Sequence, residues 1–203
     1  MQVDMVLGTG WPYGGPQVSV PNAATKLIVE KYSLKKSETF DRNIEISDTK
    51  EKMPAELLYV VAFGSDGKYI NLTDLAKGNT TKRNEKGIDG TTPDANLPKP
   101  NHLKWKAKKT DYTIYAVFSG KTGQQVKRAA PGGKGYTLDH YSPEALNTYV
   151  VPFNEAFKGR EGKVRAIFND SYEVYGTDFT PRFFEEFKTF RGNDLKEQLP
   201  LLL

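Results

Sequence analysis

Two carboxylates stand close together in the segment Asn169-Asp170-Ser171-Tyr172-Glu173, which directly follows the apolar run Val164–Phe168. Such a pair suits acid/base work: one carboxyl group delivers a proton to a departing oxygen while a second carboxylate activates water or attacks carbon. Glu173 and Asp170 are the best candidates for those roles. The plainer alternative is that Asp170 caps the loop and Glu173 is simply solvated. A second candidate group is Asp139-His140, at the end of Tyr136–His140. A histidine there is either a hydrogen-bonded structural group or a participant in a site. The third group is Trp11 and Tyr13, in the glycine-rich run Gly8–Pro16. Aromatic faces stack on ligand C–H surfaces, and glycines let the backbone approach a ligand closely; a packed loop plug would use the same residues.

Other chemistries are excluded or disfavoured. Gly8-x-Gly10-x-x-Tyr13 lacks the third glycine of a dinucleotide fingerprint, and no Gly-Lys-Ser/Thr phosphate loop occurs. Cysteine is absent, which removes disulfides, thiolate metal sites and Cys nucleophiles. Two histidines, His102 and His140, are too few for a His-rich metal site. The net charge of +4 is a solvated surface and not a nucleic-acid footprint. Lys104-Trp105-Lys106-Ala107-Lys108-Lys109 interleaves lysines with an aromatic residue, as single-strand binders do, but strand alternation explains it with Trp105 inward and the lysines in water. No run of about 18 apolar residues is present to span a membrane. Met1–Gly10 carries no basic stretch followed by an apolar core, so no signal peptide is expected there.

The elements that must hold these groups follow from the pattern. Met1–Leu7 reads as a strand, and Asn22–Leu27 as one helical turn. Leu58–Phe63, the turn Ser65–Lys68 and Tyr69–Leu72 read as a hairpin; Leu103, Trp105 and Ala107 alternate with polar residues; Tyr112–Phe118 is a further strand. Lys77–Pro100, rich in Gly, Asn, Thr, Pro and Lys, reads as a long exposed loop. After Pro131-Gly132-Gly133 the pattern changes. Tyr136–His140 is a short strand. Ser142-Pro143-Glu144 combines an N-cap, a first-turn proline and a first-turn acid, and starts a helix to about Phe157. Val164–Phe168 is a strand. Thr180-Pro181 starts a second helix, with Phe183, Phe184, Phe187 and Phe190 on one face and Gly192 as its C′ residue.

A β-α-β-α order implies a parallel sheet with crossover helices. The expected fold class is therefore α/β: a partial (β/α) TIM-type barrel with an inserted, mainly antiparallel β subdomain. Residues 1–27 would form the first barrel strand and loop, 28–127 the insert, and 128–203 the β-α-β-α segment. Tyr136–His140 and Val164–Phe168 should then be parallel neighbours. In such barrels working residues sit where strands end. Trp11, Asp139, His140, Asn169, Asp170 and Glu173 would share one rim, a convergence that suits glycoside hydrolysis.

Several long segments resemble the α-L-rhamnosidases of glycoside hydrolase family 106. They are Asp4–Pro16, Val126–Gly133, Leu138-Asp139-His140-Tyr141, Phe168–Val174, and Thr177–Pro181 continued through Arg191–Leu195. The resemblance implies a bacterial, inverting α-L-rhamnosidase acting on plant glycans or glycosides. It implies Glu173 as general acid, with Trp11, Asp139, His140, Asn169 and Asp170 at the substrate. It also implies a calcium ion near the sugar, whose ligands the sequence does not assign. Members are large, so the 203 residues are expected to be an N-terminal fragment of the catalytic region, inactive alone, with the base further along the chain and the parent periplasmic or secreted. The expected partner is an α-L-rhamnoside, not nucleic acid or membrane. A non-catalytic carbohydrate-binding protein that kept the rim aromatics is the alternative.

Overall fold

The computed structural model describes residues 3–77, 101–160, 162–169 and 172–203. In chain order the elements are β1 (Val3–Met5), β2 (Gly14–Gly15), β3 (Thr25–Leu34), β4 (Thr39–Asn43), β5 (Ala55–Gly64), β6 (Tyr69–Asn71), α1 (Thr73–Ala76), β7 (His102–Lys106), β8 (Tyr112–Lys121), β9 (Tyr136–Thr137), α2 (Pro143–Phe157), β10 (Val164–Ile167), α3 (Phe183–Arg191) and α4 (Leu199–Leu202). They fall into two compact units, one of residues 1–26 with 121–182 and one of residues 27–120 with 183–203. The expected loop over 77–100 lies almost wholly outside the described residues.

The larger β unit is built on a four-stranded sheet in the order β3-β8-β5-β6 and a two-stranded pair, β4-β7. In β5 and β8, Val60 and Ala62 pair with Ala116 and Ile114 on one face, each 0% exposed, and Val61 and Val117 on the other face are equally buried. In β4-β7, Phe40 lies opposite Trp105 and Arg42 opposite Leu103. Phe40 and Leu103 join the same core as Val60 and Ile114. Burying such side chains stabilises the unit by about 1.5–3 kcal/mol each. The lysines of β7 stay in water, with Lys104 Nζ 2.8 Å from Asp41. The alternating strand was correctly read as solvent-facing on its lysine side. In α3, Phe184 is buried and its ring meets Tyr59 edge-on at 5.1 Å. Phe190, expected on the same face, is 81% exposed. Gly192 closes α3 at φ 75°, where its N–H donates to Lys188 O at 2.8 Å.

The other unit carries the candidate site residues. Helix α2 forms as its start signal dictates. Ser142 Oγ accepts from Ala145 N at 3.1 Å, Pro143 opens the first turn, and the last helical residue is Phe157. Its Tyr149 is 2% exposed, stacks on Tyr13 at 6.1 Å and donates its hydroxyl to the carbonyls of Leu7 and Gly14. One helical side chain thus ties together the two ends of the glycine-rich loop. Leu7, Val18, Ala23, Leu138 and Ala145 complete this core.

Strand pairing departs from the barrel expectation. β10 runs parallel to β1, with Asp4 opposite Ala166 and Met5 opposite Ile167. β9 does not join them: it pairs antiparallel with β2, Gly14 opposite Thr137 and Gly15 opposite Tyr136. Tyr136–His140 and Val164–Phe168 are therefore in different sheets, and no closed barrel forms among the described residues. The cause is local. A Cβ on Gly14 would stand 2.2 Å from Tyr136 O, and one on Gly135 would stand 2.1 Å from Gly15 O. Only glycines permit that approach, and β9 takes the glycine ribbon as its partner. The fold is mixed α/β with antiparallel sheets and one short parallel pair. Asn22–Leu27 also differs from the expected helical turn: a 3-10 turn covers Val20–Asn22, and β3 has begun by Thr25.

Candidate active site

A cleft of about 550 Å³ opens in the unit formed by residues 1–26 and 121–182, lined by Val6, Gly10, Trp11, Tyr13, Lys127, Arg128, Phe168 and Asn169. Backbone pairing builds one wall. Trp11 N donates to Lys127 O at 3.1 Å, and Lys127 N donates to Trp11 O at 2.7 Å. Gly10 makes this possible, because a Cβ there would lie 2.5 Å from Lys127 O. Side chains then lock the wall: Lys127 Nζ sits 5.1 Å from the Trp11 ring centroid and 4.7 Å from that of Tyr175. The opposite wall comes from the end of β10, where the Tyr13 hydroxyl donates to Phe168 O. Burial raises the Tyr13 pKa, so the phenol keeps its proton.

Glu173 is exposed and approaches this cleft through Tyr175. The Tyr175 hydroxyl donates to Glu173 Oε2 at 3.0 Å, while the same ring faces Lys127. The bond to Glu173 raises the Tyr175 pKa. Gln124 fixes the segment. Its Nε2 donates to Glu173 O, and its Oε1 accepts from Tyr175 N, both at 2.8 Å. The loop after β10 is therefore clamped by the chain segment that also presents Lys127.

His140 is half-buried between aromatic rings, stacked on Tyr172 at 4.7 Å and tilted against Tyr141 at 4.1 Å. Burial lowers its pKa, against the Asp139 charge and the Leu138 carbonyl, which raise it. Asp139 turns the other way. It is 1% exposed and accepts from Tyr141 N at 3.0 Å, Thr180 Oγ1 at 3.1 Å and Thr25 Oγ1 at 3.3 Å. Lys121, whose Nζ donates to Thr25 Oγ1 at 3.0 Å, lies in the same network. Desolvation raises the Asp139 pKa and lowers that of Lys121. Asp139 ties β3, the start of α2 and the 180 region together beneath the surface.

Of the sequence candidates, the structure brings Trp11 and Asn169 into one cleft and links Glu173 to it through Tyr175 and Lys127. His140 sits beside Tyr172, Asp139 is buried, and Asp170 lies outside the described residues. Sequence reasoning did not single out Lys127, Arg128 or Tyr175 as site residues. The available signal was the basic pair set between Val126 and Ala129-Ala130-Pro131-Gly132-Gly133. Among the described residues no three His, Asp or Glu side chains gather as a metal site. Calcium takes six to eight oxygen ligands, drawn from carboxylates, amide and backbone carbonyls and water.

Comparison with known proteins gives three findings. The model of glycoside hydrolase family 106, described as alpha-L-rhamnosidase, matches residues 75–203. A protein of Formosa agariphila carrying a provisional beta-glucuronidase name is 25% identical over 95% of this chain and 18% of its own. The solved structure of a rhamnosidase from Novosphingobium sp. PP1Y matches with a TM-score of 0.65 at 14% identity, over 98% of this chain and 34% of that one. The last likeness concerns fold. This chain spans less than a fifth of the first relative and about a third of the second.

Proposed function

This chain belongs to glycoside hydrolase family 106, the alpha-L-rhamnosidase family, and on that premise we propose that it serves an enzyme that removes terminal α-L-rhamnose from plant-type glycans or glycosides. The observation that carries the reading is the cleft itself, where two separate family-like segments supply Trp11 and Asn169 and a third residue, Glu173, is held beside it through Tyr175. In this reading the Glu173 carboxyl group gives its proton to the glycosidic oxygen as the C1–O bond breaks. The departing alcohol leaves neutral, and water attacks C1 from the opposite face, which inverts the configuration. The Gln124 clamp holds the backbone of Glu173 and Tyr175, and the Tyr175 hydroxyl contacts the Glu173 carboxyl group, which favours the hydrogen-bond reach that proton transfer requires.

Inversion also needs a base about 6.5–9.5 Å from the acid, leaving room for the water. Among the described residues lining the cleft there is no Asp or Glu. We assign the base to the remainder of an enzyme as long as the relatives, and we place no step on calcium. The test is hydrolysis of an aryl α-L-rhamnoside by the longer parent and its Glu173→Gln variant. The variant should lose about 10²–10⁴-fold in rate, the usual worth of general acid–base catalysis, and lose less with good leaving groups. An unaffected variant removes Glu173 from the role. A parent that binds rhamnosides without turnover would instead be a carbohydrate-binding protein.

A further inference from the structure

Two cations and no carboxylate stand on the described walls of the cleft. Both Lys127 and Arg128 are exposed, and neither makes an ion pair among the described residues. Lys127 is fixed by geometry, its ammonium between the Trp11 and Tyr175 rings. Arg128 is fixed by the backbone. The chain is pinned before it by Lys127 N to Trp11 O at 2.7 Å, and after it by Ala130 N to Thr9 O at 3.1 Å. Between those bonds Arg128 adopts φ 54°. An L-residue other than glycine pays for that left-handed conformation, and such strain gathers at functional sites. Glycine would turn the chain there without strain. Arginine instead keeps a guanidinium in the cleft.

We infer that this cleft binds an anionic glycan, with Lys127 and Arg128 taking the carboxylate of a uronic acid or the sulfate ester of a sulfated sugar. The guanidinium fork matches either planar carboxylate or sulfate oxygens in a two-bond contact, and the lysine adds a point charge. Trp11 and Tyr13 provide apolar walls for the ring that carries the anion, and Asn169 adds an amide. In the hydrolase reading above, on which this assignment of a sugar ligand rests, the anion belongs to the residue next to the rhamnose. A cleft that takes only neutral sugars gains nothing from two cations that have no ion-pair partner among the described residues.

The test uses the 203-residue chain and a binding readout that needs no turnover. Methyl β-D-glucuronide, methyl β-D-glucoside 6-sulfate and uncharged methyl β-D-glucoside are titrated by NMR at low salt. One anionic probe should bind roughly tenfold or more tighter than the neutral one, and which one does so identifies the anion. The preference should vanish in a Lys127→Met/Arg128→Gln double variant and shrink in about 0.5 M NaCl, where the Debye length falls to a few ångströms. Arg128→Gly, which suits the local backbone, supplies a second variant if the double variant fails to fold, and it too should weaken the preference. Equal binding of all three probes, no binding of any, or a preference that survives these changes overturns the inference. A preserved preference beside an inactive parent would sink the rhamnosidase reading alone. An active parent whose cleft ignores charge would sink only this one.

Discussion

Asp139 and Arg128 show two ways in which a side chain's environment separates its structural work from its chemistry. Asp139 was legible as a site candidate because an acid before a histidine at a strand's end often faces a ligand. Its surroundings instead spend both oxygens on Thr25, Thr180 and the Tyr141 amide, a partnership no local pattern announces. Burial raises its pKa in the folded chain. Between the ordinary carboxyl value and that raised value, the folded state holds a proton the unfolded chain has released. Stability therefore falls as pH rises through the window and is level above it. Asp4, Asp41, Asp111 and Glu144, all with lowered pKa values, work in the opposite sense, but Asp139→Asn leaves them untouched. Thermal melts of wild type and Asp139→Asn from about pH 4 to 8 should give a Tm difference that moves in the variant's favour as pH rises and then levels. A constant difference contradicts the raised pKa. Arg128 makes the complementary prediction. Arg128→Gly relieves a left-handed backbone, so it should stabilise the chain by about 1 kcal/mol, measured by urea denaturation, even as anion binding falls. Destabilisation would mean that the guanidinium holds the fold.

At the scale of elements, legibility tracked whether the signal is local. The start of helix α2 was readable because Ser142, Pro143 and Glu144 act on the turn they begin. Ser142→Ala removes the bond to Ala145 N and should cost about 1 kcal/mol, the usual value of an N-cap, as a lower Tm with unchanged helix content at 25 °C. Strand β7 was readable from alternation, because Leu103 is buried while Lys104 and Lys106 face water, whereas β5 was readable as an apolar run with both faces covered. What alternation does not encode is the identity of the partner. β9 was expected beside β10 on the ordinary logic of a crossover helix, yet it lies against Gly14-Gly15. That choice depends on missing side chains on residues far apart in sequence, and no periodicity reports it. Gly14→Ala tests it directly. The added methyl would meet Tyr136 O at 2.2 Å and Val126 Cγ1 at 2.7 Å, so the variant should lose about 1–3 kcal/mol and show faster amide exchange at Leu138, whose N–H donates to Tyr13 O. A neutral Gly14→Ala would mean that β2 and β9 are not held this closely. The same non-locality explains the site: Trp11 and Asn169 were found as parts of recognisable segments, whereas Lys127 acquires meaning only once it lies between Trp11 and Tyr175.

For the whole molecule, the fold resembles a rhamnosidase over nearly all of this chain but over only 34% of that protein. The proposed function, in which the site is shared with further sequence, predicts two linked behaviours of the 203 residues on their own. The first is chemical. With Glu173 beside the cleft and no carboxylate among its described lining residues, the proposed mechanism gives this chain the acid and not the base, so aryl α-L-rhamnoside should not turn over detectably while a longer parent is active. The second is physical. Val3, Val6, Ile167 and Phe168, on or next to the β1-β10 pair, are 45%, 52%, 54% and 56% exposed. Among the described residues this two-stranded sheet has no further strand on either edge, and exposed edges with apolar side chains promote association. Light scattering on the purified chain should therefore show mass above 22.8 kDa, rising with concentration. Ile167→Lys should shift it toward monomer, because a charge on the exposed strand opposes edge pairing. The paired assay separates the causes of silence. An Ile167→Lys chain that is monomeric and still inactive points to the absent base, whereas a monomer that hydrolyses the rhamnoside would show that this chain holds a complete site.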